Sequence, residues 1–268
     1  QDPQRCERLH LVSVALHPPS AQDLARVHAD ADLPHLARQL LAAWPPLTPN
    51  LHHLHFDGGR VRLTLVLGDA VQLLPALRLQ AHAVFLDSLE PASHPAVWST
   101  ALLKAVGRLS APDATAASWN VARALHEGLA TAGYAARTEP AADGTRHITC
   151  ARFVPRASAR TLPNPAVPSA DAVIVGAGLA GASAARALAE RGLRVTVLEQ
   201  AGDVATGASG NPAGLFHGTV SADDGPYARL YRTAALVAEQ RYREAVAAGV
   251  PGRVEGLLRL APQQPGGR

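Results

Sequence analysis

The 268-residue sequence contains no methionine, only two cysteines and a single lysine, Lys104. Cys6 and Cys150 are too few for a disulfide framework, and no C-x-x-C pair offers a zinc or dithiol site. So little cysteine fits a reducing compartment, and a cytoplasmic protein is expected. No uncharged apolar run is long enough to suggest a spanning helix. H-E-x-x-H and G-x-S-x-G are both absent, which removes the zincin helix and the nucleophile elbow. No repeat of solenoid period is present. Without methionine there is no initiator residue. The chain starts at Gln1 and stops at Arg268, and it is expected to be an internal piece of a longer protein.

What is there is ordinary for a folded chain. A hydrophobic content of 47% with 18% charge excludes disorder over the whole length. The formal charge of +3 is carried almost wholly by arginine, and it permits a tRNA partner without requiring one.

Strand-like and helix-like stretches alternate up to residue 152, which favours an α/β fold with an open, mostly parallel sheet. His10–Val14 reads as a short strand. Ser20 reads as the N-cap of a helical stretch reaching to about Trp44, with Asp23 at the capping-box position. Val61, Leu63, Leu65 and Leu67 alternate along a strand, Gly68 and Asp69 end it, and Val71–Leu77 reads as a short helix. Ala83–Leu86 is a buried strand ending at Asp87. Pro95–Arg108 and Val121–Thr131 are helical, with Thr115–Ser118 a strand between them. Gly133 stops the second helix. Ala135–Thr138 and His147–Arg152 suit a hairpin around Asp143 and Gly144. Residues 153–170 carry prolines without apolar periodicity and read as a linker.

Beyond the linker the pattern sharpens. Ala172–Val175 is a strand, Leu179–Arg191 a helix and Arg194–Leu198 a second strand, a complete βαβ unit. Its first turn carries Gly176, Gly178 and Gly181 in G-x-G-x-x-G spacing, and Glu199 follows the second strand. That context is what a dinucleotide fingerprint requires. Gly176 permits the tight turn, Gly178 the close approach of a pyrophosphate, and Gly181 the packing of helix on strand. Free N–H groups at the helix start face the phosphates. Glu199 is placed to accept from an unphosphorylated adenosine ribose. The small-residue stretch Gly207, Ser209, Gly210, Asn211 and Gly214 suits a loop passing close to a flavin, which favours FAD over NAD. Its bland alternative is a flexible surface loop.

At these residues the sequence resembles the glutathione-reductase-like FAD domain of the D-amino-acid-oxidase group. Ser209-Gly210-Asn211 followed by Gly214 narrows the resemblance to the oxidoreductase half of the MnmC family of bifunctional tRNA-modification proteins. The first half resembles the same family through Leu67-Gly68-Asp69, through Val84-Phe85-Leu86-Asp87 with Pro91, and through Pro95 and Trp98.

The resemblance implies a partial class I methyltransferase-like sheet over 1–152, the linker 153–170, and the start of a Rossmann-type FAD domain over 171–268. It implies FAD held by Gly176, Gly178, Gly181, Glu199, Ser209, Gly210 and Asn211. It also implies S-adenosylmethionine beside Asp69, with Asp87 lining an amine pocket. On the residues alone, Asp69 and Asp87 read equally as strand-end acids that cap helices. The implied activity is oxidative removal of the carboxymethyl group from a modified wobble uridine of tRNA, then methylation of the freed amine. The catalytic residues of the oxidase are not identified.

Several positions depart from the family pattern. Ala15 stands where the family has a ribose-binding acid, and Glu90 where small or apolar residues are usual. Ser118-Trp119-Asn120-Val121 replaces an aromatic-Thr-Ser type loop, and His126-Glu127 replaces a basic pair. A first half that is degenerate as a methyltransferase, or kept as a tRNA-docking scaffold, is expected. An intact methyltransferase in a longer parent stays open.

Two other functions compete. One is a flavin-dependent amine or amino-acid oxidase of the same superfamily acting on a small molecule. The other is a non-catalytic docking module. His52, His53 and His55 read as solvated strand histidines, because no third ligand lies close in sequence to His53 and His55, which share a face. Arg186, Arg191 and Arg194 beside the fingerprint, and Arg229, Arg232, Arg241 and Arg243 beyond it, read as solvated or as facing RNA.

Overall fold

The computed structural model describes residues 6–29, 32–86, 98–154, 171–219, 221 and 223–258. The contacts divide the chain into two compact units. One comprises Gln1–Ser13, Pro19–Val66 and Ala170–Arg268, and the other Val14–Pro18 and Leu67–Ser169. The stretch before the expected linker thus contributes to both units. Most of that linker, 155–170, lies outside the described residues, and Phe153 closes a strand.

The first sheet has the order β1-β3-β2, with β1 at Leu9–Ala15, β2 at Leu51–Phe56 and β3 at Val61–Leu67. The Leu9 amide donates to the Arg60 carbonyl at 2.8 Å and the Gly68 amide to the Ala15 carbonyl at 2.9 Å. Strands β1 and β3 therefore run parallel, and His10 lies beside Arg62. Strand β2 pairs antiparallel with β3, placing His55 opposite Arg62 and His53 opposite Thr64. The turn between them uses positive φ at Asp57, Gly58 and Gly59.

Alternation gives the sheet two unlike faces. Leu54, Leu65, Leu67 and His52 are buried on one, where the His52 ring Nε2 bonds the Thr48 carbonyl at 2.8 Å. His10, Arg62 and His55 form a row across the other, with His53 in the next row against the Thr64 hydroxyl at 3.1 Å. His53 and His55 are half-buried rather than solvated.

Burial in this row, and then the Arg62 guanidinium, hold His10, His53 and His55 below the ordinary imidazole pKa. A base whose folded pKa is depressed binds fewer protons when folded than when unfolded. Stability is then complete above the unfolded value of about 6.5 and falls as pH drops below it. The thermal midpoint of the chain is expected to fall between about pH 7 and pH 5, with a shallower slope in His53→Gln. Calorimetry across that range checks it, and an equal slope in the variant would remove His53 as a contributor.

Two helices follow β1 where the sequence suggests one. Helix α1 covers Ala21–Val27 and α2 Pro34–Ala43. Ser20 and Asp23 form the capping box at the start of α1: the Asp23 amide donates to Ser20 Oγ at 3.1 Å, and the Ser20 amide to Asp23 Oδ2 at 3.2 Å. The break comes from Pro34, which has no N–H to continue a helix and sits at the first turn of α2.

The second unit is built on the sheet β4-β5-β7-β6. Its strands are β4 at Ala81–Phe85, β5 at Ser110–Ser118, β6 at Tyr134–Pro140 and β7 at His147–Phe153. Only β4 and β5 are parallel, and β7 runs antiparallel to both β5 and β6. The short turn at 141–146 can join only antiparallel strands, so the sheet is more mixed than the alternating pattern suggests. The short helix α3 at Ala70–Leu73, then α4 at Thr100–Arg108 and α5 at Arg123–Thr131, complete the unit. Ser99 caps α4 by accepting the Leu102 amide at 3.3 Å. Leu103, Leu125 and Leu129 are fully buried between these helices and the sheet.

The βαβ unit forms as its sequence indicates. Strands β8 at Asp171–Val175 and β9 at Arg194–Leu198 pair in parallel, and α6 at Leu179–Ala189 connects them. Helix α7, Pro226–Ala247, follows the small-residue loop. Among the described residues no helix is long and apolar enough to cross a membrane.

Candidate functional site

The turn from β8 into α6 is shaped by its glycines. Gly176 has φ of +99°, a conformation that strains any residue with a side chain. A Cβ on Gly181 would stand 1.9 Å from the Gly176 carbonyl oxygen, so helix and strand touch backbone to backbone. A Cβ on Gly178 would stand 2.8 Å from Ser209 Oγ. That distance places the hydroxyl of the small-residue loop directly over the turn.

Ser209 also serves the helix. Gly178 is the N-cap of α6 and has no side chain to offer, and Ser209 Oγ accepts the Leu179 amide at 3.0 Å instead. The Ser209 hydroxyl hydrogen stays available to an incoming acceptor. Among the described residues the amides of Ala180 and Gly181 have no acceptor, which leaves the positive end of α6 open to an anion.

The loop itself is held close by Gly210. A Cβ there would lie 2.0 Å from the carbonyl oxygen of Ala205, a residue with φ of +56° whose amide donates to the Ala177 carbonyl at 3.2 Å. Residues 207–211 are thus anchored to the fingerprint turn rather than loose. The Asn211 side chain is exposed beside them.

Glu199 is placed differently from its expected role alone. Its Oε2 accepts the Ala177 amide at 2.7 Å and its Oε1 the Ala201 amide at 3.1 Å. These bonds, the one to Ala177 first, keep the carboxyl below the usual carboxylate range. An ionised carboxylate offers roughly four acceptor positions. Positions therefore remain for ribose hydroxyls while the group ties the two turns together. The residues present fit FAD: a side-chain-free cradle, open helix amides and an ionised acid after β9.

The first half is less complete. Asp69 ends β3 and caps α3, its Oδ1 accepting the Val71 amide at 2.9 Å. Ala15 ends β1 with a methyl group, its carbonyl taken by Gly68. Asp87 and Glu90 lie outside the described residues. Among the described residues, Asp69 supplies a carboxylate beside these strand ends and Ala15 supplies none.

At the carboxyl ends of β4 and β5 a cavity of about 290 Å³ is lined by Phe85, Ala117, Ser118, Trp119 and Ile148. The Arg146 guanidinium stands 4.9 Å from the centre of the Trp119 ring. Thr149 locks the neighbouring loop by donating to the Asn120 carbonyl at 2.6 Å and meeting His126 Nε2 at 2.8 Å. No spacing in the sequence announces this cavity, because its lining comes from three strands brought together only by the fold.

The arginines of α7 are already engaged. Arg229 and Arg232 hold Asp224 at 3.1 and 2.8 Å, Arg241 holds Glu190 at 2.9 Å, and Arg243 holds Glu239 at 2.7 Å. No group of three metal-ligating side chains comes together among the described residues.

The chain joins parts of two enzyme classes. Residues 31–153 match the family of S-adenosyl-L-methionine-dependent methyltransferases, and residues 171–267 that of FAD-dependent oxidoreductases. The families imply S-adenosylmethionine for the first part and FAD for the second. A protein of Methylibium petroleiphilum, the tRNA 5-methylaminomethyl-2-thiouridine biosynthesis bifunctional protein MnmC, is 48% identical over 97% of this chain and 41% of its own length. The MnmC protein of Aromatoleum aromaticum is 45% identical over 97% of this chain and 41% of its own. The chain belongs to the MnmC family and spans about 41% of the length of these relatives. Among solved structures, MnmC2 from Aquifex aeolicus aligns at a TM-score of 0.43 and 19% identity, over 55% of this chain and 45% of that one.

Proposed function

We propose that this chain is part of a flavin-dependent enzyme that modifies the wobble uridine of tRNA, acting in the cytoplasm. Residues 1–152 form its methyltransferase-like part, 153–170 a linker, and 171–268 the start of its FAD domain. The observation that carries this reading is the joint construction of the turn. The Gly176–Gly181 cradle, the Ser209 hydroxyl over it and the ionised Glu199 meet around one helix start.

In this reading the amides of Ala180 and Gly181 and the Ser209 hydroxyl hold the pyrophosphate, and Glu199 accepts from the ribose. Gly210 and Asn211 border the flavin side. When bound, FAD would accept the hydride from the carbon beside the amine nitrogen, and water would then split the imine into the shorter amine and glyoxylate. The chain's own contribution is to bind and orient. Asp69 keeps one carboxylate oxygen beyond its cap for the methyltransferase-like part. The neutral Ala15 favours a first part that has lost its methyl-transfer role or serves to dock tRNA.

Flavin titration tests the cofactor. The chain is expected to quench FAD fluorescence saturably, and Gly178→Val to abolish the quench by filling the space between the turn and Ser209. A chimera tests the substrate: this chain replaces the corresponding stretch of the Methylibium petroleiphilum relative. Wobble-uridine composition in cells carrying only the chimera then reports on each step. Accumulation of the carboxymethylaminomethyl form would reject the oxidoreductase reading, and accumulation of the aminomethyl form would confine the loss to methylation.

A further inference from the structure

Among the described residues, Arg8, Arg62 and Arg191 gather without an ion pair of their own. Arg8 and Arg191 bond only backbone carbonyls: Arg8 donates to Glu190 O at 3.3 Å and Arg191 to Ala187 O at 2.6 Å. The Arg62 side chain makes no hydrogen bond or ion pair among the described residues, and its Nε is buried without a partner. All three belong to the same compact unit. Arg62 lies mid-row between His10 and His55 on the first sheet. Arg8 reaches the end of α6, with its Nη2 3.5 Å from where a Gly192 Cβ would stand.

The acid near this seam is Glu190, and it is already shared. Arg186 and Arg241 each hold it at 2.9 Å. The positive groups crowd each other: after burial, Arg191 and then Arg8 lower the Arg62 pKa, and Glu190 opposes them as the smallest influence. Like charges gathered around one already shared acid cost stability, and a buried guanidinium nitrogen without an acceptor costs more. An anion that bridges the guanidinium groups from the solvent side offsets the first cost. Arg8, His10 and Arg191 are exposed, so the seam is open to solvent, while Arg62, His53 and His55 form its half-buried floor.

We propose that Arg8, Arg62 and Arg191, with His10 and His55 beside them, form a track for the phosphates of an RNA backbone. The proposal rests on the tRNA reading above and places part of the tRNA-binding surface on the first sheet and the end of α6. Guanidinium groups suit phosphate because they donate in a planar fork, and several in a line suit a polymer better than one free ion. The two flanking imidazoles add donors and can gain charge when a phosphate arrives.

The test is the salt dependence of tRNA binding by the chain, measured by filter retention between about 50 and 200 mM salt. The double variant Arg8→Ala/Arg191→Ala changes only exposed side chains. Its slope of log affinity against log salt is expected to be shallower by about two, close to one for each phosphate no longer neutralised. The charge-matched control Arg26→Ala/Arg243→Ala removes two exposed, acid-paired arginines from elsewhere in the unit and is expected to keep the wild-type slope. Equal slopes in the wild type and the double variant overturn the track and leave the tRNA reading standing. Wild type that takes up FAD but retains no tRNA overturns both. Saturable stabilisation by low-millimolar inorganic phosphate, with the tRNA slope unchanged in the double variant, identifies a free-anion site and overturns the RNA track.

Discussion

Replacing Gly181 by alanine is expected to weaken FAD binding about 10- to 100-fold and to destabilise the βαβ unit together with it. The added Cβ would lie 1.9 Å from the Gly176 carbonyl oxygen and 3.0 Å from its carbon. Neither atom can swing away, because both belong to the backbone of the turn, and Gly176 already holds φ of +99°. Helix α6 must move off strand β8 to make room. Overpacking of this kind typically costs about 1–3 kcal/mol, and each 1.4 kcal/mol transmitted to the site is about tenfold in affinity. Moving α6 also withdraws the Ala180 and Gly181 amides from the pyrophosphate. Gly202→Ala is the control, since a Cβ there meets nothing within 4 Å. Isothermal titration with FAD checks both variants. Wild-type affinity in Gly181→Ala would mean that the cofactor does not use this turn.

The second large effect lies where α4 crosses α5. A Cβ on Gly128 would stand 2.4 Å from Leu103 Cδ1, and Leu103 is wholly buried, so it has no free space to retreat into. Gly128→Ala is therefore expected to destabilise this unit by about 1–3 kcal/mol. Leu103→Ala is expected to cost about 2–5 kcal/mol through reduced burial and a residual cavity. The double variant should cost clearly less than the sum, because the new methyl enters space that the leucine vacates. Urea denaturation of the two single variants and the double variant gives the coupling. Strict additivity would show that the two side chains do not share that space.

Some of this is legible in the sequence, and the rest is hidden for physical reasons. The βαβ unit is local: its strands, glycines and Glu199 lie within one short stretch, so spacing alone locates the cradle. Ser20 and Asp23 are readable as a capping box for the same reason. The break between α1 and α2 is signalled by Pro34, but a helical apolar pattern runs through it and obscures the stop. The pairing of β2 with β3 is harder to see, because Asp57, Gly58 and Gly59 do not form one of the two-residue turns that announce a hairpin. Glu199 shows a different limit. Its position after β9 is evident, but its hold on the Ala177 and Ala201 amides depends on how the turns close. The row His10, Arg62 and His55 joins three separate strands, and only their register brings it together.

The Glu199 carboxylate bridges the two loops at the ends of β8 and β9 by hydrogen bonds to Ala177 and Ala201, with no ligand required. Ser209 and Gly210 fasten the third loop onto the same place. The cradle is therefore set during folding rather than during capture. Little conformational freedom is left to surrender when a dinucleotide arrives, so its entry is governed by collision and desolvation instead of by loop rearrangement. The same rigidity makes the pocket selective by shape: a ligand must match a fixed spacing between helix amides and acid, because neither side can adjust to a poorer one.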